Sequence, residues 1–315
     1  MPQSEILLFI LFNAFVILML AIDLGLFHKK PETVTIREAV VWSIVWVVLA
    51  LLFNAGVFYF AGPTTGQEFL AGYLIERALS FDNIFVFVII FSYFGVPSKY
   101  QHKALLWGVV GALVTRSLFI AAGAALISRF EWVLYFLGVI LIISGWKMLG
   151  NKGVDVHPEK NLFIRLAKKV FPVSSGYESA KFTLRKGGKL FVTPLLLVVI
   201  TIETTDIVFA VDSIPAVFGV TRDPFIVYSS NIFAILGLRA TYFLLAGIMD
   251  TFHYLSHGLS LILMFIGVKM LIGEFFPISI TFSLGVVGAV LAIAVMASIV
   301  RNRKLAAKTG EKEPH

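Results

Sequence analysis

The sequence has no cysteine among its 315 residues. A chain without thiols forms no disulfide, no thiolate metal site and no dithiol redox pair, so a redox role would need a borrowed cofactor. Charge is also scarce: charged residues make up 14% of the chain, against 58% hydrophobic residues, and the mean hydropathy is +0.91. Because the apolar stretches repeatedly reach the length of a bilayer crossing, these totals indicate a polytopic membrane protein.

The formal net charge of +7 does not indicate nucleic-acid binding. The basic residues lie between the apolar stretches and at the C-terminus, and they are not interleaved with aromatic side chains on a soluble domain. We therefore interpret them as topology signals and expect no nucleic-acid partner.

The apolar stretches predict an all-α polytopic fold of about nine transmembrane helices. These helices are expected at residues 5–27, 39–61, 67–94, 104–128, 131–150, 190–219, 225–249, 256–276 and 278–300. The first is too long, and carries Asp23, to be a cleaved signal peptide.

Basic residues set the predicted orientation, because loops rich in Lys and Arg resist translocation. With the N-terminus outside, the inner connections carry 19 Lys and Arg residues, whereas the outer ones carry only Arg129 and Arg222. We therefore expect the N-terminus outside and the C-terminus in the cytoplasm.

The longest connection, residues 151–189, carries nine of those basic residues. Its middle, LFIRLAKKVF, is basic and amphipathic, which favours a segment lying on the anionic cytoplasmic leaflet. A regulatory sensor in this loop is the alternative interpretation.

An internal repeat relates the third predicted helix to the sixth. In ERALSFDNIFVF, Glu76 and Asp82 are six residues apart, as Asp206 and Asp212 are in DIVFAVDSI. Three further matches follow in the same order: FGV at 94 and 218, RSLF at 116 with RATYF at 239, and GWKML at 145 with GVKML at 267. Since each copy contains three helices, an odd number, the second copy must be inverted in the membrane, as in secondary transporters.

The repeat divides the chain into five parts. Residues 1–66 hold two transmembrane helices, 67–150 the first repeat, 151–189 the basic cytoplasmic loop, 190–276 the inverted second repeat, and 277–315 the last helix with a basic tail. We expect a site at the interface between the repeats, near the membrane midplane.

Placing an ionisable group at the centre of a spanning helix costs roughly 3 kcal/mol, so six of the acids together imply about 18 kcal/mol unless something offsets it. They are Asp23, Glu76, Asp82, Glu203, Asp206 and Asp212. Arg77, Arg116 and Arg239 also lie inside spans, so structural ion pairs are one interpretation. Because three arginines balance only three acids, we favour a site for a divalent cation, with a proton sharing the remaining charge.

The two motif helices offer oxygen ligands and no His, Cys or Met. Oxygen ligands suit Mn²⁺, Ca²⁺ or Mg²⁺ rather than Cu⁺ or Zn²⁺. The predicted metal ligands are Glu76, Asp82, Asn83, Glu203, Asp206, Asp212 and Ser213. The predicted auxiliary residues are Asp23, Ser80, Thr204, Arg116 and Arg239.

The inverted order of the two helices gives a finer expectation for the acids. It pairs Glu76 with Asp212 on the outer side and Asp82 with Asp206 on the inner side. Pro215 either breaks the sixth helix and frees a carbonyl for the cation, or kinks the helix for packing alone.

Asn231 is a polar residue inside the seventh predicted helix. Its amide favours an interhelical hydrogen bond over metal ligation. We therefore leave it outside the predicted ligand set.

These motifs resemble the TerC/Alx family of bacterial integral membrane proteins. The resemblance is carried by ERALSFDN, ETTDIVFAVDSIPAVF, SSNIFAILGLRATYFLLAG and GVKML, extends from AIDLGLF at 21 over nearly the whole chain, and favours the Alx branch through TRDPF at 221. It implies a multi-pass protein of the bacterial inner membrane linked to manganese export and alkaline response. Its motif acids fall on Glu76, Asp82, Glu203, Asp206 and Asp212, with Asn83 and Ser213 beside them.

We therefore expect a secondary transporter, not an enzyme. It would export Mn²⁺, with Ca²⁺ as the alternative ion, by alternating access in exchange for protons, with a periplasmic N-terminus and anionic lipid at the basic loop. The alternative is a metal-binding membrane scaffold, or a redox or stress modulator for tellurite or alkaline stress, that moves no ion.

Overall fold

The computed structural model describes residues 3–27, 35–150, 161–174, 176–177, 181–186, 189–246, 252–273 and 275–309. Its helices are α1 (Gln3–Phe27), α2 (Ile36–Ala61), α3 (Pro63–Tyr93), α4 (Ser98–Arg129), α5 (Trp132–Gly150), α6 (Leu162–Val170), α7 (Pro194–Phe218), α8 (Pro224–Leu236), α9 (Leu238–Leu245), α10 (Leu255–Ile272) and α11 (Ile280–Thr309). A short antiparallel hairpin, β1 (Thr183–Lys186) and β2 (Lys189–Val192), precedes α7. Its register places Thr183 opposite Val192.

Local sequence explains how the second and third helices begin. A capping box starts α2: Thr35 accepts from the amide of Glu38, and the Glu38 carboxylate accepts from the amide of Thr35. Gly62 alone connects α2 to α3, with a φ of 94° that glycine adopts readily. Pro63 then begins α3. A backbone N–H at this position has no partner within the helix, so proline, which lacks one, costs no hydrogen bond there.

The start of α7 corrects the predicted helix at 190–219. Residues 189–192 form β2, Thr193 caps the helix with its side chain, and Pro194 occupies its first turn. Proline favours that position because its ring fixes the φ angle the helix needs. At the other end, α7 continues through Pro215 to Phe218, so this proline does not break the helix.

The predicted helix at 225–249 is interrupted at Gly237, which separates α8 from α9. Arg77 of α3 lies against the interruption: Nη1 donates to the Ala234 carbonyl at 3.4 Å and Nη2 donates to the Thr241 hydroxyl. A Cβ at Gly237 would collide with this guanidinium. The arginine thus donates to a backbone oxygen beside the break, inside an apolar bundle.

Within the described residues, six helices are long and apolar enough to cross a membrane: α2, α4, α5, α7, α10 and α11. Apolar side chains cover their outer faces, as at Leu52, Leu118 and Ile293, which are 63%, 66% and 62% exposed. Outward apolar side chains are expected where lipid is the solvent. The helical membrane fold is confirmed, and the count of nine spans stays a prediction.

The third and seventh helices lie inside the bundle. α3 contacts α2, α7, α8 and α11, and α7 contacts α4 and α5. Tyr73, Ile75 and Ile84 of α3 belong to three different clusters of buried apolar side chains. Apolar packing on several faces therefore positions the polar residues of α3 away from lipid.

α5 packs along α10 through small residues. An added Cβ at Gly138 would lie 3.0 Å from the Gly267 carbonyl oxygen, and one at Gly267 would lie 2.6 Å from that of Gly138. In the same way, a Cβ at Gly145 would lie 2.7 Å from the Ser260 carbonyl oxygen. Such close approach of backbones is typical of helix pairs in membranes.

The described part of the basic loop contains the amphipathic helix α6. Asn161 caps α6 by accepting from the amides of Phe163 and Ile164. Ile164 is buried, whereas Leu162, Phe163 and Leu166 are exposed. The loop therefore presents apolar side chains together with its basic ones.

Candidate functional site

A buried ion-pair cluster centres on Arg116 of α4. Its Nε and Nη2 donate to Oδ2 and Oδ1 of Asp206 on α7, at 3.1 and 2.8 Å. Its Nη1 donates to Oε1 of Glu76 on α3, and to the Ser213 hydroxyl at 3.1 Å. Glu76, Arg116 and Asp206 are 0%, 1% and 3% exposed, so their charges interact without solvent between them.

Two amide side chains complete this cluster. Asn231 of α8 accepts from Arg116 Nη1 at 3.2 Å and donates to Glu76 Oε2 at 3.0 Å. Asn83 of α3 donates to Asp206 Oδ1 at 3.5 Å. Each carboxylate therefore has a second donor that orients it independently of the arginine. We call these six residues, Glu76, Asn83, Arg116, Asp206, Ser213 and Asn231, the Arg116 cluster.

Helical spacing brings the cluster together. Glu76 and Asn83 are seven residues apart on α3, as Asp206 and Ser213 are on α7. Residues seven apart lie about two turns along the same face of a helix. Since α3 and α7 are in contact, each helix turns its polar pair towards the other.

Three predicted metal ligands lie outside the Arg116 cluster. Asp212 Oδ1 accepts from the Ser144 hydroxyl of α5 at 2.6 Å. The Glu203 carboxylate lies against Gly111 of α4, and neither of its oxygens has a hydrogen-bond partner in the described part of the chain. Asp82 is partly buried on α3.

The auxiliary hydroxyls are engaged elsewhere. Ser80 donates to the carbonyl of Glu76, one turn earlier in α3, at 2.8 Å. Thr204 accepts from the side chain of Asn161, at the start of α6, at 2.6 Å. This bond ties the basic loop to the middle of α7.

The remaining auxiliary residues are Arg239 and Asp23. Arg239 of α9 contacts His102 Nε2 of α4 at 2.6 Å. Asp23 lies in α1, and its side chain falls outside the described residues. The arginine at the equivalent position of the first repeat copy, Arg116, is the one that contacts Glu76 and Asp206.

The acids pair differently from the expectation. We expected Asp82 opposite Asp206 and Glu76 opposite Asp212, but Glu76 and Asp206 share one arginine, and Asn83 reaches Asp206. Adjacent residues on a helix point about 100° apart, so Asp82 and Asn83 cannot both face α7. The residue that follows the motif acid is therefore the one that reaches the partner helix.

The Arg116 cluster offers oxygen ligands to a cation, and the guanidinium already contacts them. Five oxygens accept its hydrogen bonds: Glu76 Oε1, Asp206 Oδ1 and Oδ2, Ser213 Oγ and Asn231 Oδ1. Within the described ranges, no group of three or more His, Cys, Asp or Glu side chains could hold a metal ion. A metal ion would therefore use these oxygens only in place of the guanidinium.

Comparison with known proteins identifies the family of this chain. The family model described as "Integral membrane protein TerC family" matches residues 61–306, a range that contains the whole Arg116 cluster. The chain belongs to the TerC family. This TerC protein is therefore an integral, multi-pass membrane protein. No solved structure matches it.

Relatives match nearly the full length of this TerC protein. "Uncharacterized membrane protein STKORF319" of Myxococcus xanthus is 47% identical over 292 residues, 93% of this chain and 92% of its own. "Putative membrane-bound redox modulator Alx" of Photorhabdus laumondii is 44% identical over 301 residues, 93% of this chain and 94% of its own. The protein of the same name from Escherichia coli K12 is 46% identical over 292 residues, 90% and 91% of the two chains. The resemblance to the TerC/Alx family is confirmed.

Several site contacts differ in how well the sequence signals them. Asn231 makes the interhelical hydrogen bonds expected of it. Ser144, which donates to Asp212, is a lone hydroxyl in an apolar stretch. A polar residue in such a stretch indicates an interhelical hydrogen bond, but Ser144 is not among the residues predicted for the site. Asn161 lies 43 residues from Thr204 in a polar loop, and no local pattern predicts their contact.

Proposed function

We propose that this TerC protein is a secondary transporter that exports a divalent cation, Mn²⁺ in particular, from the cytoplasm in exchange for protons. The observation that most supports this is the Arg116 cluster, in which two carboxylates are buried together where α3 meets α7. Ionisable groups inside a membrane bundle are costly and commonly mark an ion or substrate path. Oxygen ligands favour Mn²⁺, with Ca²⁺ as the alternative.

Alternating access between inverted repeats is the proposed mechanism. Reciprocal contacts between the two sequence copies support it: Gly138 meets Gly267, and Gly145 meets Ser260. In the repeat, Gly145 corresponds to Gly267 and Gly138 to Ser260, so each contact is the mirror of the other in sequence. Reciprocity of this kind is what a two-fold relation between copies produces.

The polar residues of α3 and α7 show the same correspondence, in one direct hydrogen bond and one contact that passes through Arg116. Glu76 corresponds to Asp206 in the repeat, and Asn83 corresponds to Ser213. Asn83 donates to Asp206, while Ser213 and Glu76 accept from the same nitrogen of Arg116. A site at the repeat interface would have this pairing.

The proposed setting is the bacterial inner membrane, with about nine spans, a periplasmic N-terminus and a cytoplasmic C-terminus. This orientation puts 19 basic residues in the inner connections and two in the outer ones, which is the bias expected of a membrane protein. The exposed apolar side chains of α6 beside its basic residues support contact of the loop with anionic lipid.

The second candidate is a metal-binding scaffold or a redox modulator that moves no ion. A specific observation favours the scaffold: Arg116 already pairs with both buried acids, as a structural ion-pair residue would. The relatives named Alx are described as membrane-bound redox modulators, which favours a redox role in those proteins. Because this chain has no cysteine, a redox role would have to use another redox group.

Inside-out membrane vesicles test the proposal. Vesicles that contain the protein should accumulate Mn²⁺ when their lumen is acidic, and an uncoupler should stop the accumulation. Zn²⁺ should accumulate less, because the ligands are oxygens. Mn²⁺ uptake no greater than in vesicles without the protein contradicts the proposal and favours the scaffold.

A further inference from the structure

We propose that Arg116 is a tethered cation: its guanidinium occupies the Glu76 and Asp206 site when no metal ion is bound, and it moves to Glu203 when Mn²⁺ binds. This inference rests on the proposed function and adds the residue that competes with the transported ion.

The guanidinium and a divalent ion would need the same atoms. Glu76 Oε1, both Asp206 carboxylate oxygens, Ser213 Oγ and Asn231 Oδ1 all accept from Arg116. Oxygens of these types are the usual ligands of hard divalent cations. Two cations cannot share these oxygens at contact distance without strong repulsion, so binding of Mn²⁺ requires the guanidinium to leave.

The acids are positioned to remain in place when the guanidinium leaves. Asn231 donates to Glu76 Oε2 at 3.0 Å, and Asn83 donates to Asp206 Oδ1 at 3.5 Å. These amides orient both carboxylates without the arginine, so the oxygens stay arranged for an incoming ion.

Charge explains why a transporter would use such an arginine. Two ionised carboxylates and one guanidinium carry one net negative charge, whereas the same carboxylates with Mn²⁺ carry none. After the ion is released, Glu76 and Asp206 would be buried without a counterion, which is strongly unfavourable. Arg116 removes most of that cost and allows the empty protein to return to its starting state.

Glu203 is the second position for the guanidinium. It precedes Asp206 by three residues on α7, about 4.5 Å along the helix axis. Its carboxylate lies against Gly111 of α4, the helix that carries Arg116, and its oxygens have no hydrogen-bond partner among the described residues. Arg116 follows Gly111 by five residues on α4, about 7.5 Å along the helix axis, a distance comparable with the length of an arginine side chain.

Mn²⁺ binding to the purified protein tests the competition. Arg116→Gln should bind Mn²⁺ at least about tenfold more tightly than wild type, because the apparent affinity of the wild type is its intrinsic affinity multiplied by the fraction of protein whose site is open. Arg77→Gln is the matched control: this arginine donates to Ala234 and Thr241, and its loss should change the affinity by no more than about twofold. A folded Arg116→Gln that binds Mn²⁺ no more tightly than wild type overturns the proposal.

Flux measurements separate this role from a structural one. In liposomes, Arg116→Gln should keep a larger share of its Mn²⁺-for-Mn²⁺ exchange than of its net efflux, since the loaded protein crosses in both directions. Its net efflux should fall at least about tenfold, because the empty protein carries buried, uncompensated acids. Equal losses of exchange and net efflux overturn the proposal.

If Arg116→Gln does not fold, Arg116→Lys takes its place. Lysine lacks the forked donors of arginine, so the Mn²⁺ affinity of this variant should be higher than that of the wild type, and an unchanged affinity overturns the proposal.

A double-mutant cycle tests the position at Glu203. Glu203→Gln should weaken Mn²⁺ binding by about fivefold in wild type and leave it unchanged when Arg116→Gln is also present. If Glu203→Gln weakens binding equally in both backgrounds, Glu203 is a ligand of the ion, and the proposal that the Arg116 guanidinium moves to Glu203 is wrong. If neither wild type nor Arg116→Gln binds Mn²⁺, the proposed function fails; if wild type transports Mn²⁺ and Arg116→Gln binds it no better, only the tethered cation fails.

Discussion

Arg116 donates two parallel hydrogen bonds to Asp206, from Nε to Oδ2 at 3.1 Å and from Nη2 to Oδ1 at 2.8 Å. Its third nitrogen, Nη1, donates to Glu76. One guanidinium therefore pairs with acids from two helices, α3 and α7, and joins both to α4. Loss of one acid leaves the arginine with a partner, whereas loss of both leaves a buried charge alone.

This sharing predicts a non-additive effect on stability. Asp206→Asn and Glu76→Gln should each remain folded, because the other acid still pairs with Arg116. The double variant should lose about 3–5 kcal/mol of stability beyond the sum of the two single losses, since its arginine is buried and unpaired. Thermal unfolding of the purified wild type, single variants and double variant measures these stability losses.

The control also removes the Arg116 guanidinium, which is unpaired in the double variant. Adding Arg116→Met to the double variant should recover most of the lost stability, because an apolar side chain is well tolerated there. Additive losses in the double variant, or no recovery with methionine, would show that the three side chains do not form one ion-pair unit.

The α5–α10 crossing predicts a second stability effect. Gly267→Ala should destabilise the protein by about 1–3 kcal/mol, because the new Cβ would meet the Gly138 carbonyl oxygen at 2.6 Å. Gly285→Ala in α11 is the control, as no atom lies within 4 Å of its added Cβ. It should be neutral or slightly stabilising through helix propensity. Equal behaviour of the two variants would argue against the close crossing.

The orientation predicts where reporters are active. A reporter that functions only in the cytoplasm should be active when fused after His315 and inactive when fused near Thr65, because the proposed orientation puts the basic connections on the inner side. The reverse pattern would invert the proposed topology. Activity at both positions would contradict the helix count from which the inverted repeat was deduced.

Hydropathy was enough to locate most helices, because a bilayer imposes one length on every span. The helix ends that it missed depend on shorter-range chemistry. Pro194 begins α7 after a strand, and Gly237 interrupts the predicted helix at 225–249 where Arg77 approaches. An arginine that reaches a helix break across the bundle is a tertiary contact, which no window of local sequence contains.

The candidate site was predictable in its residues more than in its pairing. The repeat singled out Glu76, Asn83, Asp206 and Ser213, which the structure brings together. The repeat did not show that Arg116 would form ion pairs with both Glu76 and Asp206. That choice depends on the rotation of α4 about its axis, which an apolar sequence leaves almost unconstrained.

The most direct test of the central claim is Mn²⁺ flux in liposomes that contain only the purified protein. With an opposing proton gradient, wild type should move Mn²⁺ well above the rate of protein-free liposomes. Asp206→Asn, folded and reconstituted in equal amount, should move it at the background rate, because the transported ion loses a ligand. Wild-type flux at the background rate, or Asp206→Asn flux at the wild-type rate, would contradict the account.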